Sequence, residues 1–436
     1  MAYLGNAPQF STMRTLVEGQ AYANQTEIPV PGGFTAGMDD VIIGGAVLSG
    51  GDYDDSNGMS IKLNQAMAAG TQYRVIAWTP NQTVINATGQ LAGFRNRIIN
   101  GAMDIAQRGT SGTITTASNY QSVDRWATRG MTGSGHTFAQ IADAPAGFVN
   151  SAKVTIGTGG TPAAGDLNYI YQAIEGYNVM DLAFGTSSAQ TIAISFWVKA
   201  SISGTYAFNI INMGNNRSYV TSYTITNPNV WQYQSIIVPG DITGTWLTNN
   251  STGLYVLWDL GSGSTYNTST LNSWQTGWYQ NQSASVRPIS TSGATFQITG
   301  VQLEKGSVAT QFERRTYGLE LALCQRYLPA FIAGQASNSA VGSGQCFSAT
   351  SGLAMFEFPV TPRIPPTSIA VSSVSHYQVL NSTGAGTTVT GLTFNSASSV
   401  GCFMNFSVGS GLAAGNATFM LSSNASAYIL FNGSEL

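Results

Sequence analysis

At 436 residues the chain exceeds one ordinary domain and calls for two to four, each able to bury its own core. Only 8% of it is charged, with 17 basic against 20 acidic residues and a net charge of −3, where a typical soluble protein carries about 25% charged residues. That balance excludes a basic footprint for nucleic acid and a cationic patch for anionic membranes; the Ser, Thr, Asn, Gln and Gly that replace the charges leave a surface that resists association poorly and suits a permanently assembled protein.

The opening residues, MAYLGNAPQFSTMR, lack a basic segment followed by an apolar one, so no signal peptide is expected. The apolar patch VIIGGAVL at 41–48 is far too short to span a bilayer. It reads instead as a hairpin, with Gly44-Gly45 as the two-residue connection that a primed turn requires. Tyr73, Val75 and Ala77 alternate with Arg74, Ile76 and Trp78, and the predicted unit over 1–78 is a small all-β domain. The polar, turn-rich TPNQTVINATG then opens a linker over 79–95.

From 96 to 312 short strands alternate with Gly, Asn and Ser turns. Residues 191–200 put Ile192, Ile194, Phe196 and Val198 on one face; 253–261 put Leu254, Val256, Trp258 and Leu260 on one face and Tyr255, Leu257 and Asp259 on the other. Period two with regular turns predicts an all-β sandwich or jelly roll. Over 96–327 the series RIINGAMDIAQRGTS, SVDRWAT, ISFWVKAS, RSYVTSYTI, GDITGTW, ITGVQLEKGSVATQFERR and YGLELALCQRYL resembles the jelly-roll region of bacteriophage tail-fibre and receptor-binding proteins. The N-terminal stretch, with its strand, Gly-containing turn, "GDY" step and "AAGTQYRV" last strand, resembles the small virion-attachment sandwich that begins many of them. The resemblance implies a multi-domain homotrimeric fibre, a carbohydrate-binding-module-like middle and a host-contacting tip. Its partners would be the phage tail or an adaptor protein and a host surface glycan or outer-membrane molecule; its place would be the virion, after synthesis in the host cytoplasm.

Seven charges fall between 304 and 326 (Glu304, Lys305, Glu313, Arg314, Arg315, Glu320 and Arg326), where the average would place about two. Glu304, Lys305, Glu313, Arg314 and Arg315 read as structural ion pairs rather than a catalytic carboxylate pair, because compensating cations stand beside the acids. The junction over 313–329 holds a short helix near 317–328, started by a Thr316 cap and stopped by Pro329. Leu319, Ala322, Leu323 and Tyr327 form one stripe and Leu321, Cys324 and Leu328 another; the first, with Arg326, is the candidate trimer contact. Residues 330–436, with only Glu357, Arg363 and Glu435 charged, are predicted as a compact β tip.

Two surfaces are candidates for receptor binding. Trp274, Trp278 and Tyr279, with Tyr266 upstream, lie in an uncharged run and offer flat rings to sugar C–H groups; His376, Tyr377 and Gln378 lie in the tip. Cys324, Cys346 and Cys402 read as buried free thiols. His136 and His376 lack metal-ligand spacing, and neither metal nor cofactor is expected. The predicted function is a non-enzymatic tail fibre that adsorbs to a host glycan. A head fibre or decoration protein without a dedicated receptor is the alternative, and a glycan-degrading tailspike would need a repeat-built β-helix that has no period here.

Overall fold

The computed structural model describes the chain except for residues 1–12, 31–33, 35, 57–59, 80–93, 115, 118–119, 132, 213, 215–216 and 335–337, so most of the expected linker lies outside the described residues. The chain divides into two compact units, Met1–Phe94 and Arg95–Leu436. The first carries a four-stranded sheet, ordered Met13–Gln20, Gln72–Thr79, Asp39–Ile43, Ala46–Val47, and a three-stranded sheet of Gln25–Pro29, Ser60–Met67 and Tyr53–Asp54. Gly44 and Gly45 both take positive φ (57° and 90°) and join strands that pair Ile43 with Ala46, which is the predicted hairpin. Ile28, Val41, Ile61, Val75 and Ala77 are fully or almost fully buried between the two sheets.

The second unit begins with two six-stranded antiparallel sheets. One is ordered Gln232–Val238, Ile192–Ala200, Thr295–Lys305, Ser151–Thr155, Thr137–Ile141, Ser111–Thr113; the other Trp274–Thr276, Arg217–Ile225, Gly204–Asn212, Thr252–Asp259, Tyr169–Glu175, Ala127–Arg129. Alternation along the strands decides what faces the interior. Ile192, Ile194, Phe196 and Val198 from the first sheet meet Phe208, Ile210, Leu254, Val256 and Trp258 from the second in one core. Trp258 sits at its centre, with ring centroids 5.2 Å from Phe208, 5.3 Å from Phe196 and 5.7 Å from Trp126.

The rest of the unit is a three-stranded sheet (Ala330–Ile332, Tyr428–Asn432, Ser368–Val371) and a closed barrel of Ser339–Cys346, Ser351–Glu357, Gly401–Val408, Gly386–Ala397, Tyr377–Leu380 and Ala417–Ser422. Phe331, Phe356 and Phe431 belong to one cluster, so small sheet and barrel share their core. Pro362, Pro365 and Pro366 all lie between strands.

The junction helix is Tyr317–Gln325. Two expectations about it are corrected. Thr316 occupies the cap position with extended backbone, but its side chain makes no cap bond. The carboxylate of Glu320, in the first turn, instead accepts the Asn100 N–H and lies 3.3 Å from Arg315 Nη1. Nor do Leu319 and Tyr327 share a stripe, because the helix ends before Tyr327. Leu319 is exposed (46%), while Tyr327 is fully buried with Cys324 and Leu328.

Sandwich and barrel are fastened by charges at this junction. Glu175, 1% exposed, accepts hydrogen bonds from Arg326 Nε at 2.9 Å, Arg326 Nη2 at 2.5 Å and the Tyr327 hydroxyl at 2.7 Å. The Arg125 guanidinium covers the Tyr327 ring at 3.6 Å and pairs with Glu435, which also meets Arg108 at 3.0 Å.

Candidate functional site

The outward faces of the second sheet make the site. Inward-facing Ile170 and Ile174 leave Tyr169 and Tyr171 outside; inward-facing Leu254, Val256 and Trp258 leave Tyr255 and Leu257 outside. Register then gathers them: Tyr171 lies opposite Leu257, Tyr255 opposite both Ala173 and Ile211, and Tyr169 opposite Arg129 on the short last strand. The three tyrosines meet edge to face, Tyr169 with Tyr171 at 5.5 Å and 73°, Tyr171 with Tyr255 at 5.5 Å and 71°.

Trp278 completes the pocket from a loop. Gly277, at φ 116°, follows the strand Trp274–Thr276 and turns the chain out of the sheet. Trp278 then packs on Tyr266 at 5.5 Å, and a parallel bridge between Asn267 and Asn281 ties the loop's ends. The result is a cavity of about 170 Å³ lined by Arg129, Tyr169, Tyr171, Ile211, Tyr255, Leu257 and Trp278, smaller than the ~300–1,000 Å³ of drug-sized sites. Its floor is buried and its rim of Arg129, Tyr255 and Trp278 is half-buried. Trp278 Nε1 is a buried donor with no partner among the described residues. Burial raises the Tyr255 phenol above its ordinary range, opposed by a hydrogen bond with Thr252, so it stays protonated and able to donate at neutral pH. An apolar aromatic floor with N–H and O–H donors around it suits a small ring that has C–H faces and hydroxyl edges.

The sequence candidates separate here. Trp278 lines the pocket and Tyr266 supports it. Tyr279 stands beside it without lining it, its N–H donating to Ser218 Oγ at 3.3 Å. Trp274 does not belong: it packs on the core against Trp246 (5.3 Å), Tyr219 (5.3 Å) and Phe184 (5.8 Å), and its indole N–H donates to Pro239 O at 2.7 Å. In the barrel Tyr377 is corrected from surface to core, since it is fully buried and its hydroxyl donates to Tyr428 O at 2.6 Å. His376 and Gln378 remain half-buried, engaged with Ser372 Oγ and Asn338 Oδ1, both at 2.9 Å. Tyr169, Tyr171 and Arg129 were missed; the Y-x-Y spacing of Tyr169 and Tyr171 was the available signal, and Arg129 gave none.

Of the charged candidates, Glu304 is buried, accepts the Thr310 N–H and hydroxyl at 2.7 Å, and has Arg95 at 3.6 Å. Glu313 lies 3.9 Å from Arg315 and accepts the Asn96 N–H at 2.6 Å. Arg314 instead rests on the Phe148 and Phe312 rings, at 4.6 and 5.7 Å. Lys305 enters no ion pair among the described residues. Arg326, proposed for a trimer contact, has its guanidinium committed to Glu175 of its own chain. Leu323 and Leu321 pack on the buried Ile99–Ile105–Cys324–Tyr327 cluster, and Ala322 is half-buried. All three cysteines are buried free thiols.

No family model and no curated protein matches the chain. Among solved structures it is similar to a putative sugar binding protein from Bacteroides thetaiotaomicron (13% identity, 49% of this chain and 100% of that one, TM-score 0.27). It is also similar to the CBM22-1 xylan-binding domain of Paenibacillus barcinonensis Xyn10C (11% identity, 50% and 100%, TM-score 0.24). A third is the enzymatically active domain of bacteriophage CBA120 tailspike protein 4 (11% identity, TM-score 0.26), where the match covers 48% of this chain but only 21% of that one.

Proposed function

We propose that this chain is a non-enzymatic, homotrimeric bacteriophage tail fibre of the virion, attached through its N-terminal unit, which adsorbs to a host surface glycan in the pocket on the second sandwich sheet. The observation that carries the glycan reading is the pocket itself: three edge-to-face tyrosines and Trp278 around a cavity of about 170 Å³, the scale of one sugar residue. Trimerisation is supported by the junction helix, whose Leu319 is 46% exposed and whose Tyr317, 65% exposed, lines a groove of about 570 Å³ together with Leu321, Phe331 and Ile332. Three weak sites on one trimer gain avidity by effective concentration alone.

The test is a glycan array probed with the full-length protein, followed by titration of the best ligand into wild type and Trp278→Ala. Saturable binding lost in the variant, with no reducing ends released, is expected. Absence of binding on the array, or a Trp278→Ala affinity equal to wild type, refutes the site.

A further inference from the structure

Arg129 stands apart from the other arginines. Among the described side chains Arg97, Arg108, Arg125, Arg217, Arg315 and Arg326 each reach a carboxylate. Arg287 and Arg363 reach backbone carbonyls, and Arg314 rests on aromatic rings. Among the described residues Arg129 makes no side-chain hydrogen bond, ion pair or ring contact of this kind, although it is half-buried at the rim of the aromatic pocket and is the only charged residue among those described as lining it. The carboxylate nearest in register, Asp259, opposite Tyr169 on the neighbouring strand, is already occupied by the N–H groups of Gly261 (2.9 Å) and Ser262 (3.0 Å). None of the Arg129 nitrogens is among the buried unpartnered atoms, so the guanidinium keeps contact with solvent and is open to an incoming anion, and the short strand Ala127–Arg129 holds it where a ligand on the tyrosines passes.

Building on the glycan reading of this pocket, we infer that its ligand is an acidic sugar whose ring lies on Tyr171 and Trp278 and whose carboxylate is clamped by Arg129. The planar fork of the guanidinium matches a carboxylate with two parallel hydrogen bonds. A single cation neutralises one carboxylate, whereas a phosphate monoester carries about −1.5 to −2 at pH 7 and would leave excess charge in an apolar pocket.

The experiment titrates full-length protein with uronic-acid oligosaccharides, with the same oligosaccharides after carboxyl reduction, and with sulfated neutral counterparts. Wild type, Arg129→Gln and Trp278→Ala are compared, and thermal unfolding confirms that each variant is folded. Wild type is expected to bind the carboxylated form roughly tenfold or more tighter than the reduced form. Arg129→Gln should bind both alike, at the affinity wild type shows for the reduced form, while Trp278→Ala loses both. Equal binding of carboxylated and reduced forms by wild type, or preference for the sulfated form, overturns the inference and leaves the glycan reading standing. If none of the three binds and the array also gave no ligand, both fall together.

Discussion

Replacing Arg326 by Leu is the sharpest test of how sandwich and barrel are joined. The substitution removes two charge-assisted hydrogen bonds, at 2.9 and 2.5 Å, from a Glu175 carboxylate that is 1% exposed, and leaves it, among the described residues, only the Tyr327 hydroxyl. Stripping one partner from a fully buried pair costs about 3–5 kcal/mol. Here the arginine side chain is 30% exposed, so its own desolvation is partial and the lower end, about 3 kcal/mol, applies. Guanidinium unfolding of the full chain, followed by tryptophan fluorescence at pH 7, measures it. The double variant Glu175→Gln/Arg326→Leu should recover at least about 1 kcal/mol relative to the sum of the single losses, because the orphaned charge is gone. A loss below about 1 kcal/mol for Arg326→Leu, or strict additivity, would refute the reasoning. Dissociation of a trimer at unchanged unfolding stability would restore Arg326 to an intersubunit role.

Three further outcomes are expected. Burial lifts the Asp259 carboxyl to about 6, against the Ser262 and Gly261 hydrogen bonds that lower it, so between about pH 4 and 6 the folded unit holds a proton that an unfolded Asp, with its pKa near 3.9, releases. This group's contribution is gained as pH falls and lost as pH rises through 6; the stability of wild type minus that of Asp259→Asn should therefore grow from pH 7 to pH 5, and a flat difference in calorimetry would contradict it. Tyr377→Phe, which deletes the bond to Tyr428 O, should lower stability by about 1 kcal/mol in chemical denaturation and leave cell binding unchanged. Leu319→Asp, on the exposed side of the junction helix, should yield folded monomers in sedimentation velocity; intact trimers would place the threefold contact elsewhere.

Much of the fold was legible because its information is local. Alternation assigned Ile192 to Val198 and Leu254 to Trp258 to the core, and Gly44-Gly45 announced its hairpin. The site was less legible, since Arg129, Tyr171 and Tyr255 become neighbours only through pairing between strands far apart in sequence. Trp274 and Trp278, four residues apart in one uncharged run, end in different places because Gly277 turns the chain between them. Tyr377 follows the same rule as the core strands, alternating inward with Val379, yet as one of three polar neighbours it read as surface. The charge cluster announced Glu313 and Arg315, which do lie within ion-pair distance, but Arg315 also reaches Glu320, and Arg326 finds its partner 151 residues away, beyond any local pattern.

The closed ring of strands between Ser339 and Ser422 has a consequence for how this molecule survives in solution. Its strands carry a single charged residue, Glu357, so electrostatic repulsion offers them almost no protection against sticking to one another. An open sheet of this composition would present an unpaired edge to every other copy and template its aggregation. By pairing Ser339–Cys346 with Ala417–Ser422 the barrel uses up its last backbone donors and acceptors on itself. Closure of the hydrogen-bond ladder thus takes the protective role that charge plays elsewhere, leaving a nearly uncharged barrel with no open strand edge for another copy to extend.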